Sequence, residues 1–131
     1  MFNVVLRHDI AEEIDKVSKV YPHLIFDGFN SRLGERITEI IKNIFPMPKA
    51  ESKRVLTFSN KSYFISFRHH NFQTRKNTKG ENEFDLEETG PRFEMRPYQI
   101  LLGTVDQPNS NKEWALRPFM MTARRKDNLI L

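Results

Sequence analysis

Six consecutive residues, Phe67-Arg68-His69-His70-Asn71-Phe72, bring together a guanidinium, two imidazoles and two phenyl rings. Single-stranded nucleic acid is recognised by this combination, because cations track phosphates while flat groups stack on unpaired bases. The same run also suits an edge strand whose aromatics belong to a core, and spacing alone leaves both readings open. Arg32 and Arg36 stand one turn apart near a helix start, where an oligoanion could be gripped. Arg36 has Glu35 and Glu39 as alternative partners. The run Arg124-Arg125-Lys126 fits a phosphate clamp or a solvated face.

Other chemistries find little support. The histidines are His8, His23, His69 and His70, and no two share a helix face at metal-ligand spacing. In a strand His69 and His70 point to opposite sides, so they cannot hold one ion together. There is no cysteine, which excludes disulfide scaffolds, Cys-based zinc sites and thiol nucleophiles. No serine sits in a nucleophile elbow, and no Walker loop or dinucleotide fingerprint occurs. No enzyme, metal or cofactor is expected.

The chain has 131 residues, 38% hydrophobic and 29% charged, with eleven phenylalanines. That suits one folded domain with its own core. No stretch approaches the ~20 apolar residues of a membrane span. Arg7, His8 and Asp9 come too early for a signal-peptide apolar region, so a soluble intracellular protein is expected. The net charge is +4 and its layout is blocked. Residues 68–79 hold four bases and no acid, whereas residues 81–88 hold five acids and no base. Blocks of this kind indicate separate faces.

The elements that must position these groups follow from periodicity. Residues 2–6 read as a short buried strand, and residues 10–20 as a helix with Ile10, Ile14 and Val17 on one side, ended by Pro22. Leu24-Ile25-Phe26 is a second strand, stopped by Asp27-Gly28. Residues 31–45 form the clearest helix, with a stripe of Leu33, Ile37, Ile40, Ile41 and Ile44, capped by Asn30 or Ser31. Gly34 inside it implies close packing. Residues 54–59 and 63–70 predict a β-hairpin, with Tyr63, Ile65 and Phe67 on one face and Phe64, Ser66 and Arg68 on the other. Residues 71–83 predict a mobile loop, and the carboxylates at 81–88 a solvated one. Residues 92–104 predict a long strand in which Arg92 and Arg96 share a face and Pro97 marks an edge or bulge. A turn-rich loop over 106–113 and a last strand at Leu129-Ile130-Leu131 complete an α/β fold, with at least two helices on a mixed sheet.

In order along the chain, several motifs resemble the Brix family of ribosome-assembly proteins. They are Arg7-His8-Asp9-Ile10, Pro22-His23-Leu24-Ile25 with Gly28-Phe29, and Ser31-Arg32-Leu33-Gly34 with Arg36. Phe45-Pro46-Met47-Pro48-Lys49, Arg54-Val55 with Thr57-Phe58, and Ile65 through His70 extend the likeness. So do Gly90-Pro91-Arg92-Phe93-Glu94, Leu102-Gly103-Thr104, Glu113-Trp114 and Ala123-Arg124-Arg125-Lys126. The resemblance implies a non-enzymatic, nucleolar RNA-binding factor of the small-subunit processome, which helps U3 small nucleolar RNA pair with pre-rRNA on the way to 18S rRNA. It implies protein partners there, a scaffold phosphoprotein and its companion subunit, and a fold whose halves resemble anticodon-binding domains. Arg7, Arg32, Arg36, Arg68, Arg124, Arg125 and Lys126 become the expected phosphate contacts. His69, His70 and Phe72 become the stacking or base-edge residues, with Arg92 and Arg96 as further contacts, and Gly90-Pro91 shapes a turn. The competing expectation is a protein-docking module without RNA contact. Met1 aligns inside the family domain, so residues 1–131 are expected to be its C-terminal half, and a homodimer would cover the surface the other half leaves bare.

Overall fold

A computed structural model describes residues 1–10, 17–62 and 64–117. The chain forms two compact units, which divide between Met95 and Arg96.

The first unit is built on a six-stranded sheet in the order β1-β6-β4-β3-β2, with β5 paired to the outer part of β4. The strands are β1 (Phe2–Val5), β2 (His23–Asp27), β3 (Arg54–Lys61), β4 (Phe64–Lys76), β5 (Asn82–Glu88) and β6 (Arg92–Met95). β2 and β3 run parallel, joined through helix α2 (Arg32–Ile44), and every other pair is antiparallel. The α/β class and the mixed sheet are as expected.

Helix α2 begins where its chemistry dictates. Ser31 is extended (φ −89°, ψ 159°), and its hydroxyl accepts from the Gly34 N–H at 3.0 Å, satisfying one of the free donors of the first turn. The buried stripe is Gly34, Ile37 and Ile41, while Ile40 and Ile44 of the predicted stripe are exposed. Against this helix lies one face of the sheet. Phe45 meets the Phe58 ring at 6.3 Å, and the Lys42 ammonium sits 5.6 Å from the Phe26 ring centre. On that face a file of rings crosses four strands. Phe26 stacks on Phe58 at 5.2 Å, Phe58 meets Phe67 edge-on at 5.3 Å, and Phe67 stacks on Phe93 at 4.5 Å. Each neighbour in the file is also a paired residue in the strand register. Ile65, 1% exposed, and Leu56 complete this core.

Several expectations are corrected. β1 is not buried. It is outermost in the sheet, Asn3 takes a left-handed φ of 48°, and Phe2, Val4 and Leu6 are half exposed. The first helix, α1, spans Arg7–Ile10 instead of starting at Ile10. Asp9 closes its first turn, its carboxylate accepting from Leu6 N–H at 3.3 Å while its own N–H donates to Leu6 O. Residues 17–20 are not helical: the Arg54 guanidinium takes the Ser18 and Val20 carbonyls at 2.8 and 3.2 Å. Residues 11–16, Tyr63 and the proposed strand at 129–131 lie outside the described residues.

Residues 71–76 are not loop. They continue β4, and 82–88 return along it as β5. The turn between them is closed by the Asn77 side-chain oxygen, which accepts from the N–H groups of Lys79 and Glu81 at 3.0 and 2.9 Å.

The predicted strand over 92–104 is two strands in different units. It breaks at 96–98, where Pro97 can donate no ladder bond and biases Arg96. The second unit holds a hairpin of β7 (Gln99–Leu102) and β8 (Asn111–Ala115), the latter beginning inside the predicted loop.

Candidate nucleic-acid interface

Strand alternation sorts the expected site into two groups. Phe67 and His69 point to the face that α2 covers, with Ile65. Arg68, His70 and Phe72 share the opposite, open face, about 6.5–7 Å apart along the strand. Their cross-strand neighbours there are Thr57 for Arg68, Val55 and Glu88 for His70, and Leu86 for Phe72. All three are half-buried, each with part of its side chain in solvent.

Arg68 donates one N–H to the Phe67 carbonyl at 2.8 Å, and no carboxylate neutralises it among the described residues. Phe72 is framed by the His23 ring at 6.3 Å and the Phe84 ring at 6.1 Å. His23 and Ile25 extend this face across β2, and neither was singled out from sequence. The face is amphipathic and its charge is mixed. Arg92 is paired with Glu88 at 3.4 Å, and Glu94 accepts from the Asn3 amide at 2.9 Å.

His69 is a correction. It is 5% exposed, and both ring nitrogens are engaged. Nδ1 lies 2.7 Å from the Gly90 carbonyl oxygen. A carbonyl only accepts, so Nδ1 carries the proton, and Nε2 accepts from the Arg54 Nε–H at 3.3 Å. Burial pushes its pKa below the usual histidine value. The Gly90 bond pulls the other way, and Arg54, Arg7 and His70 deepen the depression. Its backbone carbonyl accepts from the N–H groups of Thr89 and Gly90. His69 is a structural hub and offers no ring face for stacking.

Arg7 joins the same hub. Its Nε donates to the Thr89 carbonyl at 3.1 Å, which ties α1 to the turn before β6. Gly90 sits at φ 60°, a left-handed conformation that favours glycine, and it packs close to α1, where an added Cβ would press on the Ile10 side-chain tip. Arg54, the centre of this network, was not singled out. A cation opening an otherwise apolar strand was the available signal.

Of the remaining candidates, Arg32 is exposed at the first position of α2, and Arg36 is paired with Glu39 at 3.2 Å. Arg96 belongs to the second unit, so no single strand places it on a face with Arg92. Arg124, Arg125 and Lys126 lie outside the described residues. Among the described residues, no cluster of His, Asp and Glu is arranged to hold a metal ion, and no helix is long and apolar enough to cross a membrane.

A mixed sheet with a helix against one face defines an α/β domain. The chain belongs to the Brix domain family, whose pattern matches residues 1–99. It is 50% identical over 127 residues to the Brix domain-containing protein ZK795.3 of Caenorhabditis elegans, covering 96% of this chain and 42% of that protein. It is 46% identical over 130 residues to the U3 small nucleolar ribonucleoprotein protein IMP4 of Eremothecium gossypii, covering 98% and 44%. The human protein of the same name is 46% identical over 125 residues, covering 95% and 41%. The chain therefore spans less than half the length of these relatives.

Proposed function

We propose that this chain is the C-terminal half of a Brix domain and acts as a non-enzymatic, nucleolar RNA-binding factor of the small-subunit processome. There it assists pairing of U3 small nucleolar RNA with pre-rRNA and maturation of 18S rRNA. The observation that carries RNA contact is the row Arg68, His70 and Phe72 on the open face, a cation followed by two flat groups in period two. The association with the U3 particle rests on the names of the IMP4 relatives. Arg32, Arg36, Arg92, Arg96, Arg124, Arg125 and Lys126 complete the proposed phosphate contacts, some of them by exchanging a carboxylate for a phosphate.

A filter-binding or fluorescence titration with single-stranded RNA tests this. Binding weakens with salt, log affinity falling by about 0.7 per neutralised phosphate for each unit of log salt. Arg68→Glu flattens that slope, and Phe72→Ala costs roughly tenfold in affinity. Absence of binding at ~50 mM salt would select the competing reading, a module docked on the processome scaffold phosphoprotein and its companion subunit. The mixed charge of the open face, with Glu88 and Glu94 on it, is the observation in favour of that reading. The exposed apolar strip at Met1, Phe2, Val4 and Leu6 supports self-association into a homodimer. Light scattering coupled to size exclusion checks that, and a monomer at micromolar concentrations counts against it.

A further inference from the structure

Beyond Asn71 the β4–β5 hairpin leaves the sheet as a two-stranded ribbon. β3 pairs with β4 only as far as Arg54↔Asn71, whereas β4 and β5 stay paired to Lys76↔Asn82. β5 pairs with β4 alone among the described residues, so its outward N–H and C=O groups form an open edge. The side chains of β5 alternate strictly. Glu83, Asp85 and Glu87 stand on one face, while Phe84 and Leu86 stand on the other, 62% and 61% exposed. Asp85 is paired with Arg75 at 3.0 Å, whereas Glu83 and Glu87 have no ion-pair partner among the described residues.

An edge protected only against aggregation carries charge where another strand would land. Here a phenyl and an isobutyl group share that edge with the acids, so the strand is apolar on one side and anionic on the other. The ribbon beyond Phe72, residues 73–88, is also net negative in a chain of net charge +4, with five acids against Arg75, Lys76 and Lys79. Polyanion binding is disfavoured there. A strand added to this edge would put every second side chain beside Phe84 and Leu86, and the intervening ones beside Glu83, Asp85 and Glu87.

We propose that the outer edge of β5 is a docking site for an extended segment of another protein in which basic and apolar residues alternate. Backbone bonds to β5 supply general affinity, and the two faces select the alternating pattern. The site's apolar face borders the row proposed to contact RNA, because Phe84 and Leu86 flank Phe72, but the outer backbone edge of β5 that would pair with the segment points away from that row.

The test uses the 131-residue chain and two labelled seven-residue peptides, the length of β5. One alternates Val and Lys; the other carries the same residues in two blocks. Fluorescence anisotropy is expected to show the alternating peptide binding roughly tenfold tighter than the blocked one. Hydrogen exchange is expected to show new protection of β5 amides in its presence. Phe84→Ser with Leu86→Ser removes the preference, and Glu83→Gln with Glu87→Gln, on the face away from Phe72, reduces it while leaving RNA binding unchanged. Three outcomes overturn the proposal: equal affinity for the two peptides, no protection of β5, or a homodimer that the Phe84→Ser, Leu86→Ser variant dissociates. The peptide and exchange measurements on the unaltered chain do not depend on the variants folding.

Discussion

His69 and His70 are neighbours on one strand, yet they occupy different surroundings. His69 is buried against the Thr89-Gly90 turn, its nitrogens held by Gly90 and Arg54. His70 faces outward between Val55 and Glu88, with part of its ring in solvent. The same division runs across the whole sheet. Phe26, Phe58, Phe67 and Phe93 touch one another on the covered face, while Ile25, Thr57, Arg68 and Phe72 are spread over the open one. Apolar packing and engaged polar groups on one side make that side responsible for stability. Partly exposed mixed chemistry on the other makes that side available for recognition.

The sharpest way to break this contrast is to truncate a ring on the covered face. Phe58→Ala removes the middle of the aromatic file and is expected to cost about 3–5 kcal/mol in urea unfolding. Arg68→Ala on the open face should stay within ~0.5 kcal/mol. Equal losses at the two positions would refute the division.

A smaller effect is expected at the hub. Gly90→Ala places a methyl at a left-handed backbone position and against Ile10, at an expected cost of ~1–3 kcal/mol in thermal or urea unfolding.

The last contrast is read by pH. An unfolded histidine takes up a proton near pH ~6.5, whereas buried His69 resists protonation until lower pH. Between those values the unfolded state binds more protons, so stability is full above ~6.5 and falls as pH drops toward the lowered value. His69→Gln should flatten this acid limb of a urea-midpoint profile. An acid limb left intact by His69→Gln would refute the assignment.

Local signals made part of this legible. The period of α2, its Ser31 cap and the alternation of β4 are written in short stretches, and they place Arg68 and His70 on opposite sides of the strand from Phe67 and His69. Which side is inside is decided by the docking of α1 and α2, so His69 looks like a binding residue until its partners Arg54 and Gly90 are brought to it from distant segments. Glu83-Phe84-Asp85-Leu86-Glu87 does alternate, but its acids suggest solvent. Its strand identity comes from pairing with 71–76, a polar segment with no period of its own. Ile40 and Ile44 fit the helical stripe and yet are exposed, because a stripe specifies an angle and not how far the covering sheet reaches.

The file of rings across β2, β3, β4 and β6 also has a consequence in time. On a ribosome adding ~5–20 residues each second, Phe67 emerges with Phe58 already behind it, but Phe93 follows only after about two dozen more residues, a delay of seconds. For that interval the β4 edge over 65–67 has an aromatic face and no neighbour, while the β5 segment is made first and pairs farther along the same strand. The nascent chain thus passes through a stage in which an aromatic edge waits for the segment that completes it.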